Sequence, residues 1–122
     1  MTKLVPYLFG ALALIHVLPA AAVFAPGNLS KLYGFAPDDA VLTTLLQHRA
    51  LLFGILAAAL VYAIFVPATR WPVLIGAVVS MGGFVVIAAM RGELSGAVRS
   101  IVIADAVGLL IAALAAFLLW KS

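Results

Sequence analysis

Four apolar runs, 4–24, 41–66, 72–90 and 97–120, constrain this chain more than any other feature of it. A helix needs about 20 mostly apolar residues to cross the hydrocarbon layer of a bilayer, and each run is of that length. Helix is the required form, because backbone N–H and C=O groups in lipid have only each other to bond. Composition removes the soluble alternative. Only 9% of the 122 residues are charged and 67% are hydrophobic, against about 25% charged in an ordinary soluble domain. A soluble fold could bury one core, but too few polar side chains would remain to cover it. The expected fold is therefore all-α, an integral membrane four-helix bundle with lipid as its outer solvent.

Stop signals bracket each run. Pro26-Gly27-Asn28 breaks the first, Asp38 and Asp39 can cap the second, and Pro67 followed by Arg70-Trp71-Pro72 makes a tight turn into the third. Arg91-Gly92-Glu93 ends the third run, and Arg91, Glu93, Lys3, Lys31, Arg70 and Lys121 read as solvated boundary charges. Residues 29–35 mix apolar and polar positions and suit a short interfacial segment between the first two helices. Lys3 ahead of an apolar run, with Ala20, Ala21 and Ala22 later, imitates a signal peptide. The run is long enough to span, so it is read as a retained first helix. No internal repeat, linker or second domain is visible, and 1–122 reads as a single four-span domain.

An even number of spans puts both chain ends and the 67–71 turn on one side. Lys3, Arg70 and Lys121 then oppose Lys31, Arg91 and Arg99, close to a tie under the positive-inside rule, and cytoplasmic termini are the expectation. Trp71 and Trp120 sit beside basic residues where interfacial anchors belong. The basic residues, net charge +3, are scattered, which argues against nucleic acid as a partner. The absence of cysteine excludes disulfides, thiolate metal sites and a cysteine nucleophile. Gly76, Ser80 and Gly83 on the third helix, and Gly108 and Ala112 on the fourth, form small-residue faces that let helices approach closely.

Polar residues inside the runs carry the functional signal. At a rise of about 1.5 Å per residue, His16 lies roughly 12–15 Å in from the end of the first run. His48 and Arg49 follow about eight residues of the second run, and Asp105 about eight of the fourth, which predicts one polar layer shared by three helices. Ionisable groups at lipid depth are costly unless paired and normally face the bundle interior. Arg49 is the expected partner of Asp105, with Arg99 as a rival that can snorkel to the interface. Gln47, His48 and Arg49 are consecutive and fan over about 200° of the helix, so at most two can aim inward. Gln47 shares a face with Leu51 and Gly54, His48 with Leu52, Ile55 and Tyr62, and Arg49 with Phe53 and Leu56. Pro19, one turn after His16, frees a backbone carbonyl near this layer. The candidate ligand-binding residues are thus His16, Gln47, His48, Arg49 and Asp105. No metal site is expected, and no cofactor is identified. For Asp105 the competing account is an ion pair that only fixes helix register; for His16 it is a core histidine bonded to a carbonyl.

The stretch 14–19 (Leu-Ile-His-Val-Leu-Pro), then 31–34 (Lys-Leu-Tyr-Gly), 45–54 (Leu-Leu-Gln-His-Arg-Ala-Leu-Leu-Phe-Gly), 79–81 (Val-Ser-Met) and Asp105 resembles a group of small uncharacterised bacterial four-span proteins. These are distantly similar to the DoxX-like superfamily of four-helix membrane proteins. The resemblance spans most of the chain and implies fold, topology and a bacterial inner-membrane location; it supplies no activity and no catalytic residue. Some members carry the label phosphopantetheine adenylyltransferase. That soluble enzyme has a Rossmann-like fold and a Thr-x-Gly-His phosphate motif, and this sequence has neither.

Three functions follow from these residues. The leading one is a bundle-core pocket that binds, or chemically alters, a lipophilic small molecule such as a quinone, isoprenoid or lipid precursor. A histidine beside a carboxylate can exchange protons, and an arginine can hold an anionic or carbonyl oxygen. The second is a cytochrome-like protein holding non-covalent haem between His16 and His48. The third is a non-catalytic membrane subunit or assembly factor, with association into a homo-oligomer left open. A triad hydrolase is disfavoured because Ser80 is the only mid-span serine and lies on a small-residue face. A transporter is disfavoured by the absence of an inverted repeat.

Overall fold

A computed structural model describes residues 2–20, 40–92 and 99–122 of the chain. After a short 3-10 turn, Thr2–Leu4, come four α-helices: α1 Val5–Ala20, α2 Ala40–Phe65, α3 Arg70–Met90 and α4 Arg99–Lys121. The described residues contain no strand, and the fold is an all-α four-helix bundle. Pro6 sits in the first turn of α1, where its missing N–H would have had no helical partner. The Pro26-Gly27-Asn28 turn, the interfacial segment 29–35, the Asp38 and Asp39 caps and Glu93 all lie outside the described residues.

Pro67–Met90, Ala40–Phe65 and Arg99–Lys121 are each long and apolar enough to cross a membrane. The described α1, at 16 residues, is shorter. Most side chains that face outward mid-helix are apolar, among them Leu14, Ile55, Val79, Ile103 and Leu110, with His48 an exception. Exposed Lys3, Arg91, Arg99 and Lys121 stand at or near helix ends. This is the surface an integral membrane protein needs. Trp71 and Trp120 are both exposed, as anchors must be.

The four helices form a ring in which α1 packs on α2 and α4, and α3 packs on α2 and α4. On α1 and α2, a Cβ on Gly10 would lie 4.0 Å from Ile64 and one on Gly54 would lie 3.6 Å from Ala20, so the two helices are antiparallel. Many buried positions are alanine, including Ala13, Ala57, Ala63, Ala77, Ala112 and Ala115. In lipid, apolar burial gives no drive between helices, and close van der Waals contact between small residues takes its place. The core of Val5, Phe9, Leu12, Leu60, Leu74, Met81 and Leu118 is concentrated toward the end of the bundle that holds the α2–α3 turn.

That turn is held by side chains as well as backbone. Val66 N–H reaches the Tyr62 carbonyl, and Thr69 Oγ1 donates to the Val66 carbonyl at 2.8 Å. Arg70, expected to be a solvated boundary charge, is half-buried and donates Nε to the Ala63 carbonyl and Nη2 to the Ile64 carbonyl, each at 3.0 Å. It therefore caps orphan carbonyls at the C-terminus of α2, where a positive charge also complements the helix dipole. At the end of α3, Gly92 adopts φ +70°, the left-handed conformation that closes helices at little steric cost to glycine.

The small-residue faces divide. Gly108 and Ala112 of α4 are buried, and a Cβ on Gly108 would collide with Met81 Sδ of α3. On α3, by contrast, Gly76 is exposed and a Cβ on Gly83 would meet nothing within 4 Å. That face borders an open groove against α2.

Candidate functional site

The rotation of α2 settles which of its three consecutive polar residues looks inward. Arg49, Phe53 and Leu56 share the face turned to α3, and all are half-buried. His48 is exposed, on the same face as Leu52, Ile55 and Tyr62, which are 49–60% exposed. The expectation that His48 joins the inner polar layer is corrected accordingly. Gln47, half-buried on the other side of the His48 face from Arg49, lines neither of the two clefts that flank Phe53.

Axial offset corrects a second expectation. Ala20 lies beside Gly54 and Gly10 near Ile64, so His16 is level with the part of α2 about four residues beyond Gly54. His48 is then displaced from His16 by about ten residues, roughly 15 Å along the axis. Counting both from one membrane edge had placed them level, because it assumed that α2 starts where α1 ends. Haem ligation needs both imidazoles on one cavity, and neither histidine lines either of the two clefts that flank Phe53.

Phe53 is the hub of the arrangement that does form. The Arg49 guanidinium carbon sits 4.4 Å from the centroid of the Phe53 ring and 4.6 Å from that of Phe84. Contacts of this kind are worth about 2 kcal/mol or more when desolvated. The His16 ring meets Phe53 edge-on, with centroids 5.7 Å apart and an interplanar angle of 85°. His16 is 3% exposed, and its Nδ1–H donates to the Leu12 carbonyl at 2.8 Å. That bond leaves Nε2 as the acceptor of the neutral ring. His16 is thus the carbonyl-bonded core histidine of the two readings given above, and it lines neither cleft.

Two clefts flank Phe53. One, of about 470 Å³, lies between α2 and α3 and is lined by Arg49, Leu52, Phe53, Leu56, Val79, Ser80, Gly83, Phe84 and Ile87. The other, of about 280 Å³, lies between α1 and α4 and is lined by Ile15, Leu18, Pro19, Phe53, Ser100, Ile101, Ala104 and Asp105. Asp105 is 7% exposed, and its Oδ2 has no hydrogen-bond partner among the described residues. Arg49 is the charge whose field bears on the Asp105 carboxylate, while the rival Arg99 is exposed.

His16, Arg49 and Asp105 therefore gather round one phenyl ring, and the single polar pocket expected from the sequence is split in two by it. Sequence reasoning missed Phe84 and Ser100, and it treated Ser80 and Gly83 as packing positions. The Arg49–Phe53 contact had a legible signal, since residues four apart share a helix face. Phe84 comes from another helix and had none. No protein-family model, no curated protein and no solved structure matches this chain, so the two clefts are the ground on which its function is read.

Proposed function

We propose that this chain crosses the bilayer four times and uses the groove between α2 and α3 to bind a lipophilic small molecule through a carbonyl or anionic oxygen. A quinone, an isoprenoid or a lipid precursor meets that description. The observation that carries the reading is the Arg49 guanidinium, held against Phe53 and Phe84 in the wall of a mostly apolar groove. Packing on the two rings holds the guanidinium, a planar set of N–H donors suited to an oxygen, in the groove wall. Ser80 adds a hydroxyl, and Gly83 leaves the floor open. Val79 and Ile87, 67% and 60% exposed, put the mouth on the outer face, so a ligand enters sideways from the acyl chains. The volume is in the range of small-molecule sites, about 300–1,000 Å³. A bacterial inner-membrane location and kinship with DoxX-like proteins accord with this reading. No reaction is assigned to the groove, whose described lining residues include a single cation, Arg49.

The test is native mass spectrometry of protein released from its own membrane, with Arg49→Met and Gly83→Leu beside the parent chain. Arg49→Met removes the charge, and Gly83→Leu fills the floor at a position with room for it. The expected result is a retained small molecule on the parent and its loss by about tenfold or more from both variants, with helicity unchanged, as removal of a charge-assisted hydrogen bond implies. Equal retention by all three overturns the reading. A dimer that becomes monomeric in Gly83→Leu also overturns it and gives the groove to a second copy of the chain.

A further inference from the structure

We infer that the cavity between α1 and α4 is a separate site, which takes the hydroxyl end of an uncharged lipid alcohol on Asp105. The carboxylate is more than nine-tenths buried, and its Oδ2 opens no hydrogen bond to any described residue. A buried acceptor without a donor is strongly unfavourable, and more so for a charged group at lipid depth. Apart from Ser100, the rest of the cavity lining is apolar, walled by Ile15, Leu18, Phe53, Ile101 and Ala104. Pro19, on the α1 wall, has no N–H for the Ile15 carbonyl, so that side too presents an acceptor lacking its regular donor. The site therefore calls for a donor.

Charge decides which donor. Arg49 on α2 bears electrostatically on Asp105 and offsets part of its charge. An ammonium in the cavity would add an uncompensated positive charge, and an anion would face the carboxylate. A neutral O–H can bond the carboxylate where Asp105 lines the cavity and changes the charge of the bundle by nothing. Water is the other source of such a donor, but an ordered buried water makes about three hydrogen bonds. Ser100 is the other polar side chain on the lining, and it lies about 7.5 Å farther along α4, toward the helix start. An alcohol needs only the one bond, and its carbon chain supplies the apolar contacts that the walls offer. At about 280 Å³ the cavity holds the head and first carbons of such a molecule. Leu18, 69% exposed, and Ala104, also exposed, mark where the tail leaves for the bilayer.

The full chain in lipid nanodiscs, probed with a photoreactive sixteen-carbon alcohol, its methyl ether and the matching primary amine, tests the assignment. The alcohol is expected to crosslink to α1 and α4 near Leu18 and Ala104 about tenfold more than the ether or amine, the ratio one charge-assisted hydrogen bond implies. Asp105→Leu and Ala104→Phe, the second filling the cavity from its rim, are both expected to abolish that preference. Gly83→Leu, which blocks only the other groove, is expected to leave it intact, so the two sites fail or stand separately. Equal labelling by all three probes, or labelling indifferent to both cavity variants, overturns the inference and leaves water as the donor to Asp105.

Discussion

At the residue scale, the same amino acid has opposite consequences at two places in this bundle. Gly108 is buried at the crossing of α3 and α4, with Met81 Sδ where a Cβ would go. Gly108→Ala should destabilise the protein by about 1–3 kcal/mol, as overpacking does. Combining it with Met81→Ala should recover part of the loss, a coupling readable from thermal unfolding in detergent. Gly83→Ala, with no atom within 4 Å, should be neutral or stabilising by up to about 1 kcal/mol, the helix-propensity difference. Equal melting temperatures for Gly108→Ala and Gly83→Ala would show that the α3–α4 crossing is looser than described. Phe53 is the other instructive residue. Its ring meets the His16 edge and the Arg49 face and walls both clefts, a role no single-helix pattern announces.

At the element scale, the α2–α3 connection is the part of the fold most directly written in the chain. Pro67, Arg70 and Pro72 mark it, and the helices stop and restart within one or two residues of the expected 66 and 72. What the sequence concealed was the use of Arg70. Its guanidinium bonds to the Ala63 and Ile64 carbonyls tie the start of α3 to the end of α2. Arg70→Ala should therefore lower stability by about 1–3 kcal/mol, and Arg70→Lys should recover less than half, because an ammonium lacks the planar fork that reaches two carbonyls. Unfolding in mixed SDS micelles would measure both, and full recovery by lysine would reduce the role of Arg70 to charge alone.

At the scale of the whole molecule, the four-span reading makes a topological prediction that the chain is well suited to test, since it has no cysteine of its own. Single-cysteine variants Lys3→Cys, Ala68→Cys and Ser122→Cys should react with a membrane-impermeant maleimide from one side only, and Arg91→Cys only from the other. Labelling of the first three in spheroplasts without lysis would place the termini outside and reverse the expected orientation. Labelling of Lys3→Cys and Ser122→Cys from opposite sides would mean an odd number of crossings. The bundle is tightly packed toward the α2–α3 turn and cleft around Phe53, and both candidate sites open where it is cleft. A stable core at one end lets the other present unfilled space without loss of the fold.

The sequence alone determined that the chain is helical, roughly where its helices begin and end, and that Arg49 and Asp105 must avoid lipid. Those conclusions follow from length, hydropathy and the cost of a buried charge, which need no knowledge of neighbours. Tertiary structure decided the rotation and axial register of the helices: Arg49 inward and His48 outward, His16 offset from His48, and Phe53 on the wall of both the Arg49 and the Asp105 cleft. The reason is that lipid and protein interior are almost equally apolar. A water-soluble helix declares its inner face by contrast with its outer one, whereas here both faces are apolar and only the packing of side chains against particular neighbours selects between them.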